Sequence, residues 1–550
     1  MNAHPRPFYY LENFTVALEW LRSRYHDLLS AEEQRFISDF ALMPLGSAAL
    51  MVRMVMRQGD LFRTSKLSYT EIGCPRQAAH PLIESGWVDP MPAVDFPALW
   101  RLLRKAEICR VLGLKGKAGS MRKAELLECA GELATQTRPL RAWWPEAPDE
   151  IFQVRIAPLC ARLKLMFFGN FHQTWSEFVL ADLGIFRYES VSLEESARAF
   201  RTRRQIDHFY AIYRCRELLH AEAPLEEVLA AVPPVLGEDG TGAWIDAKRA
   251  KLLFVIGQLY EKAHELPHAL AVYSDCTHPE ARIRTVRVLE KLERLDEAAA
   301  LLDRVRQQPA NERETQLSAR ILRRLNRKLG VRDCHSQRHR DHRSWDTLEL
   351  QLPYPDPPRR VEVAVSEHLG TPAAPVLYVE NTLLNALFGL LCWDAIFAPL
   401  PGAFFHPFHS APADLLDAGF FERRAAQFSA CFERLENGTY RAAILATFER
   451  KEGLQTPFVA WNGLTRAALE LALDCIPATH LQRIFRRLLD DLRANRSGLP
   501  DLIQLWPDQQ RYRLIEVKGP GDRLQDNQTR WLSFCVSQEI PVCVCKVAWQ

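Results

Sequence analysis

The chain has 550 residues, 47% hydrophobic and 25% charged, enough for several domains of ordinary globular composition. A net charge of only +2 excludes a uniformly polycationic nucleic-acid binder; any phosphate-binding surface must concentrate its Lys and Arg in patches. Thirteen cysteines, an odd number without a Cys-x-x-Cys pair, exclude a disulfide scaffold and fit a reduced cytosolic protein.

Residues 1–7 lack the apolar core of a signal peptide. Residues 1–91 read as a helical region, with Tyr9, Tyr10, Phe14, Leu18 and Leu21 at helical spacing. A basic-apolar stretch follows, in which Arg53, Arg57, Arg63 and Lys66 are candidate phosphate contacts, a solvated helix face being the alternative. Residues 92–140 look like a SAP-type helix-loop-helix: one amphipathic helix over 99–112, a loop over 113–123, and a second helix from Ala124. Lys115, Lys117, Arg122 and Lys123 beside a Gly-containing loop suit backbone-phosphate binding, and a plain helical hairpin is the alternative. The Trp- and Pro-rich stretch 137–149 reads as a linker or surface loop. Residues 141–204 continue the helical region, with Phe167, Phe168 and Phe171 as core. Residues 205–345 look like TPR-type helical hairpins, with Gly257, Tyr260, Ala269 and Tyr273 on the small and large positions of a unit. Cys334, His335, His339 and His342 raise a zinc site, but no second Cys pair supplies the usual spacing, so a basic surface link is expected.

Residues 346–550 carry the chemistry. After a stretch over 345–364 that alternates in strand fashion, the run 383–400 is apolar but broken by Asn385, Asp394 and Pro399, a buried helix instead of a membrane span. Glu380 stands at its N-terminal edge. Leu502 to Trp506 and Tyr512 to Val517 are apolar runs about a turn-like Pro507-Asp508-Gln509-Gln510, a hairpin. Asp501 sits at the mouth of its first strand; Glu516 and Lys518 share one face of its second, because strand side chains alternate. Two carboxylates and an ammonium at one sheet end suit metal-dependent phosphodiester hydrolysis, with Mg2+ or Mn2+ on carboxylate oxygens. A helix is expected from Gln525, with Gln528 and Trp531 one turn apart.

The series Gly498-Leu-Pro-Asp501, Glu516-Val-Lys-Gly-Pro520, Asp522-Arg-Leu524 and Gln528-x-x-Trp531 resembles the VRR-NUC branch of the PD-(D/E)XK nucleases, and more narrowly the Fanconi-associated nuclease family. The resemblance extends to Glu380, Leu387-Phe388-Gly389 and Trp393-Asp394, and to a Pro- and Phe-rich segment 399–415 expected to form a loop and helix shaping the site. It implies a multidomain protein. An α-helical N-terminal DNA-binding region and TPR-like repeats, which arch between DNA-binding and nuclease regions, precede a C-terminal α/β restriction-endonuclease-like domain. It implies structure-specific cleavage of 5′ flaps, 5′-to-3′ trimming and a part in interstrand crosslink repair. On this resemblance Asp501 and Glu516 bind one or two Mg2+ or Mn2+ ions, with the Val517 carbonyl completing the set. Glu380 binds the metal or one of its waters, Lys518 orients or deprotonates the nucleophile, and Gln528 braces the site. Arg493 matches a basic residue that binds a 5′-phosphate in animal relatives; a second such position falls on Asn527, which puts a full phosphate pocket in doubt, with Arg523 a possible substitute. The expected partners are branched, flap or crosslinked DNA and no membrane, for a monomer in the bacterial cytosol at the nucleoid, or in the nucleus if eukaryotic. The competitors are a junction-resolving nuclease on the same core, and a TPR scaffold with an inactive nuclease fold.

Overall fold

A computed structural model describes residues 7–114, 121–170, 173, 186–237, 242–330, 345–417 and 419–550. The described residues form two compact units, one from 1–186 with 200–206, the other from 187–199 with 207–550. Lys115, Lys117, Phe171, Cys334, His335, His339 and His342 lie outside the described residues.

The first unit opens with helices Tyr9–Tyr25, Ala31–Leu42 and Leu45–Val55. Ser30 accepts from Glu33 N while Glu33 accepts from Ser30 N, a capping box that fixes the start of the second helix. A sheet of β1 (Leu61–Arg63), β5 (Ile151–Val154) and β2 (Val88–Asp89) closes the unit, and β3 (Ala93–Asp95) pairs with β4 (Thr137–Pro139).

Two expectations change here. The helix expected over 99–112 is two short helices, Phe96–Leu102 and Lys105–Val111. Asp95 caps the first through Ala98 N at 2.7 Å, and Glu107 accepts from Arg104 N at 2.7 Å, so a new helix starts where the first would have continued. Leu103, buried at the break, anchors the corner. The stretch 137–149 is not a surface loop: Trp143 and Trp144 are buried with Phe96 and Leu99, because two indoles bury more apolar area than the prolines forbid.

In the second unit, helices Ala243–Lys262, Leu266–Ser274, Ala281–Lys291, Leu295–Gln307 and Glu312–Lys328 pack on one another in sequence order. Gly257 is required at one such crossing, since a Cβ there would stand 2.4 Å from the Tyr273 ring. The last of these helices is tied to the C-terminal region. Arg487 pairs with Glu312 at 2.6 Å, Arg320 with Asp526 at 2.7 Å, and Arg530 donates to Gln316 at 2.8 Å.

The C-terminal sheet contains β6 (Asp346–Leu352), β7 (Val376–Tyr378), β8 (Leu502–Trp506), β9 (Arg511–Lys518) and β10 (Val542–Trp549), in the order β6-β10-β9-β8-β7. β8 and β9 are the antiparallel hairpin, and helix Asp526–Ser537 leads back to β10, parallel to β9. Leu502, Ile515 and Val517 pack on one side; Ile503, Leu505, Leu514 and the helices around Phe388 form the large core on the other. Each fully buried Leu or Phe of that core contributes roughly 2–3 kcal/mol. Within the stretch expected to alternate as strand, β6 is followed by helix Val361–Leu369. The segment 399–415 is a loop without a helix, packed by Ala403, Phe404 and Phe405 and tied by Asp414 to Arg424 at 2.8 Å. Among the described residues no helix is long and apolar enough to cross a membrane.

Candidate active site

Sheet register brings the acidic residues together. Leu502 pairs with Ile515 across the hairpin, so one step further Asp501 meets Glu516, and Val517 N donates to Asp501 Oδ2 at 2.8 Å. Leu502 also pairs with Tyr378, and Val379 N donates to the Asp501 carbonyl at 2.8 Å, which sets Glu380 beside the same strand end. Asn381, in the left-handed region at φ +50°, turns the chain from β7 into helix Leu383–Leu391. Its Oδ1 accepts from Leu499 N at 3.2 Å, tying the Glu380 corner to the Gly-Leu-Pro-Asp turn.

Glu516 is 1% exposed and Asp501 7%. Lys518 Nζ stands 2.8 Å from Glu516 Oε1, yet neither Glu516 oxygen has a hydrogen bond of proper geometry. Burial pushes the Glu516 carboxyl up to about 7; the Asp501 charge adds to this and Lys518 opposes it. Burial likewise pushes Asp501 up to about 6, the Val517 N–H opposing and Glu380 and Glu362 adding. Glu380 is exposed, and its Oε2 accepts from the Tyr378 hydroxyl at 2.5 Å, which with burial pushes that phenol up to about 12.

Among the described residues no three His, Cys, Asp or Glu side chains are already drawn together as a metal shell. The donor chemistry fits a hard divalent cation, for the buried Glu516 oxygens lack a well-formed hydrogen bond, and Lys518 alone does not offset two buried acids. Asp501, Glu516, the Val517 carbonyl and Glu380 are the residues that could hold one. Gln528 Oε1 accepts from Gln525 N at 2.9 Å, which caps helix Asp526–Ser537.

The proposed phosphate contacts divide. Arg63 does not face phosphate: it is 5% exposed and paired with Asp149 at 2.9 Å and Glu107 at 2.6 Å, a correction to the expectation above. Arg53 is half-buried, 2.6 Å from Glu71 and 3.8 Å above the Tyr10 ring. Arg57, donating to the Lys66 carbonyl at 3.0 Å, and Lys66 are exposed. Lys123 lies 4.7 Å over the Trp100 ring, and Arg122 is exposed. Arg523 is exposed and makes no ion pair among the described residues. Arg493 is exposed on helix Leu492–Asn495, one turn before Gly498, whose positive φ and close approach to Asn527 exclude a side chain there.

Sequence reasoning missed the company Arg493 keeps. Burial lowers the Lys251 ammonium, and the charges of Arg493, Lys248 and Arg216 push the same way. Burial also lowers His278, with Arg493 and Lys251 adding. Burial raises Asp417 despite the opposing charges of Lys248 and Arg493. The charges of Arg493, Lys248 and Lys251 thus act on one another, a basic cluster between helix Ala243–Lys262 and the turn at Gly498; its signal was Lys248 and Lys251 one helical turn apart, but nothing in the sequence ties that helix to Arg493.

A mixed sheet with two carboxylates and a lysine at one strand end is that of a restriction-endonuclease-like nuclease. The VRR-NUC domain family matches residues 435–549, a range that does not include Glu380. The FAN1 HTH domain matches residues 8–89, and the Fanconi anemia-associated nuclease SAP domain residues 97–143. The chain is 50% identical to a Fanconi-associated nuclease 1 homolog of Pseudomonas aeruginosa, over 100% of this chain and 97% of that one. It is 24% identical to the Arabidopsis thaliana homolog, over 100% of this chain and 68% of that one. It also resembles the crystal structure of paFAN1 bound to 2nt 5′ flap DNA with gap. The TM-score is 0.88 and the identity 49%, over 100% of this chain and 99% of that one. The chain belongs to the Fanconi-associated nuclease family.

Proposed function

We propose that the chain is a divalent-metal-dependent, structure-specific nuclease that cuts DNA at 5′ flaps. The observation that carries this is Glu516: a buried carboxylate without a hydrogen bond, beside Asp501 and 2.8 Å from Lys518. The paFAN1 relative bound to 5′ flap DNA supports the substrate class.

Asp501, Glu516, the Val517 carbonyl and Glu380 hold one or two Mg2+ or Mn2+ ions. Such an ion, when bound, neutralises charge on the phosphate and makes water acidic enough to attack at neutral pH. Lys518 orients the attacking water and steadies charge developing on the phosphate oxygens. Gln528 braces the site indirectly, by fixing the start of the helix after β9. Arg493, with Lys251 and Lys248, holds a backbone or terminal phosphate near the cut, and Asn527 offers that phosphate an amide in place of a cation. Arg53, Arg57, Lys66, Arg122, Lys123 and Arg523 contact duplex phosphates, so they position DNA without reading its sequence. The same site trims DNA from 5′ to 3′ and serves crosslink repair.

The test uses purified protein with Mn2+ and labelled 5′-flap, 3′-flap, four-way and linear duplex DNA, beside Asp501→Ala. Cutting in the duplex near a 5′ flap, lost in the variant, is the expected result. Preference for four-way junctions would identify a junction-resolving enzyme instead. DNA binding with no metal-dependent cutting would leave an inactive scaffold.

A further inference from the structure

A second group of cations gathers where helices Ala281–Lys291 and Glu312–Lys328 pack on each other. Two buried glutamates lie beneath it. Glu261 accepts from the Tyr273 hydroxyl at 2.7 Å, and its other oxygen stands 3.5 Å from Arg284 and 3.7 Å from Lys291. Glu290 takes both arms of Arg324, Nε at 2.7 Å and Nη2 at 2.5 Å. Arg287 lies one helical turn from Arg284, from Lys291 and from Glu290. It is half-buried and has no carboxylate within ion-pair distance among the described residues. Lys328, 3.5 Å from Glu290, is balanced by exposed Glu293 at 3.8 Å. Four cations thus stand over two buried acids, leaving two positive charges in excess. Arg320, one turn before Arg324, pairs at 2.7 Å with Asp526, the first residue of the helix that follows β9 and Lys518.

We propose that Arg287, with Arg284, Lys291 and Arg324, forms a binding site for the phosphodiester backbone of DNA, sharing no residue with the cluster about Arg493. This rests on the nuclease reading given above. An ion pair that only ties two helices needs one cation for each acid, and Arg282 supplies that between the same helices, 2.5 Å from Glu314. The extra cations are not needed for such a tie. The acids sit on the core side, while the Arg284, Lys291 and Arg324 side chains stay between 33% and 54% exposed. Each carboxylate therefore aims its cations outward in a fixed arrangement, which lowers the entropy lost when an anion is bound. Arg287 is crowded by like charge: burial lowers it, the charges of Arg284 and Arg324 add to this, and Glu261 and Glu290 oppose. A phosphate oxygen reverses the sign of that interaction and accepts from guanidinium groups in the geometry they favour. Through Arg320 and Asp526 the site adjoins the segment leaving the acidic strand end, so DNA held there continues from the cut.

The test is the affinity of the full chain for fluorescent duplexes across a salt series, with Ca2+ in place of Mn2+. The duplexes carry a long 5′ flap, no flap, or a flap with one duplex arm shortened. The variants are Arg287→Gln, Arg287→Lys, Lys291→Gln and, as a control on the neighbouring helix Leu295–Gln307, Arg306→Gln. Arg287→Gln is expected to weaken binding about tenfold at low salt and to lower the salt dependence by about one counterion. Lys291→Gln should show a smaller loss of the same kind, while Arg287→Lys, which keeps the charge, and Arg306→Gln keep the wild-type salt dependence. A loss confined to the long flap assigns the site to the single strand, and an equal loss without a flap assigns it to a duplex arm; both support the proposal. Wild-type binding by folded Arg287→Gln and Lys291→Gln, or weaker binding with an unchanged salt dependence, overturns it and leaves the nuclease reading standing. If the wild type itself neither binds nor cuts flap DNA, the nuclease reading falls and this inference falls with it.

Discussion

Val517 N–H donates to the carboxylate of Asp501 at 2.8 Å across the hairpin, so one acid is aimed by the backbone of the strand that carries the other. Asp501→Asn keeps an oxygen for this bond but loses the charge. It should fold like the wild type, bind flap DNA normally, and cut at least about a thousandfold more slowly, since metal binding and charge stabilisation fail together. Single-turnover cutting alongside a binding isotherm separates these effects.

Burial of the acid pair gives the metal-free protein a pH signature. The carboxyl of Glu516 rises from 4.5 to about 7 and that of Asp501 from 3.8 to about 6 on folding. The folded state therefore binds these protons more tightly than the unfolded state. The contribution is fully present below the unfolded values and lost as pH rises through the folded ones. With chelator present, thermal stability should drop between about pH 4 and 7 by up to about 6 kcal/mol from these groups. Glu516→Gln should flatten that drop, and Mn2+ at pH 7.5 should restore stability to the wild type but not to the variant. Calorimetry across pH checks both.

Arg63 should behave as a structural residue. Its removal leaves Asp149, itself buried, without its cation, a loss of about 3–5 kcal/mol. Arg63→Ala is expected to lower the unfolding midpoint by several degrees, whereas Arg57→Ala should leave it unchanged and weaken DNA binding at low salt. Denaturant melts and salt-dependent binding distinguish the two outcomes.

The basic cluster about Arg493 predicts a preference for substrates bearing a 5′-phosphate over a 5′-hydroxyl. Arg493→Ala and Lys251→Ala should each weaken that preference, and the double variant should show less than the sum, because the charges of the two residues already act on each other. Matched flaps differing only in the terminal phosphate supply the measurement.

Asn381 tests how tightly the two loops must be coupled. Asn381→Ala strains a left-handed residue and loses the acceptor for Leu499 N, at about 1–2 kcal/mol; Asn381→Gly loses only the acceptor. Cutting should fall in the order wild type, Gly, Ala, with melting temperatures in the same order.

The strand end was readable because its chemistry is local: Asp501, Glu516 and Lys518 lie on one hairpin, where alternation and turn length dictate convergence. Glu380 was identified by family resemblance, and its place beside Asp501 depends on a β7–β8 pairing that joins residues over a hundred apart. Arg63 was misread because a short basic-apolar stretch does not reveal distant Asp149 and Glu107. The helix break at Leu103 escaped because Arg104 is a poor start signal, and only the Glu107 side chain bonding back to its N–H makes it one. Val361–Leu369 was hidden by prolines just before it and by β-branched residues that also favour strands.

The strand order β6-β10-β9-β8-β7 sets a timetable. β9 bears Glu516 and Lys518, yet one of its edges is satisfied only by β10, which follows it in sequence and also receives β6 from the far side of the domain. During synthesis the reactive side chains leave the ribosome before the strand that covers this edge. A nascent chain thus carries the β8–β9 hairpin with one edge of β9 still open, and that edge is closed only when the last strand arrives.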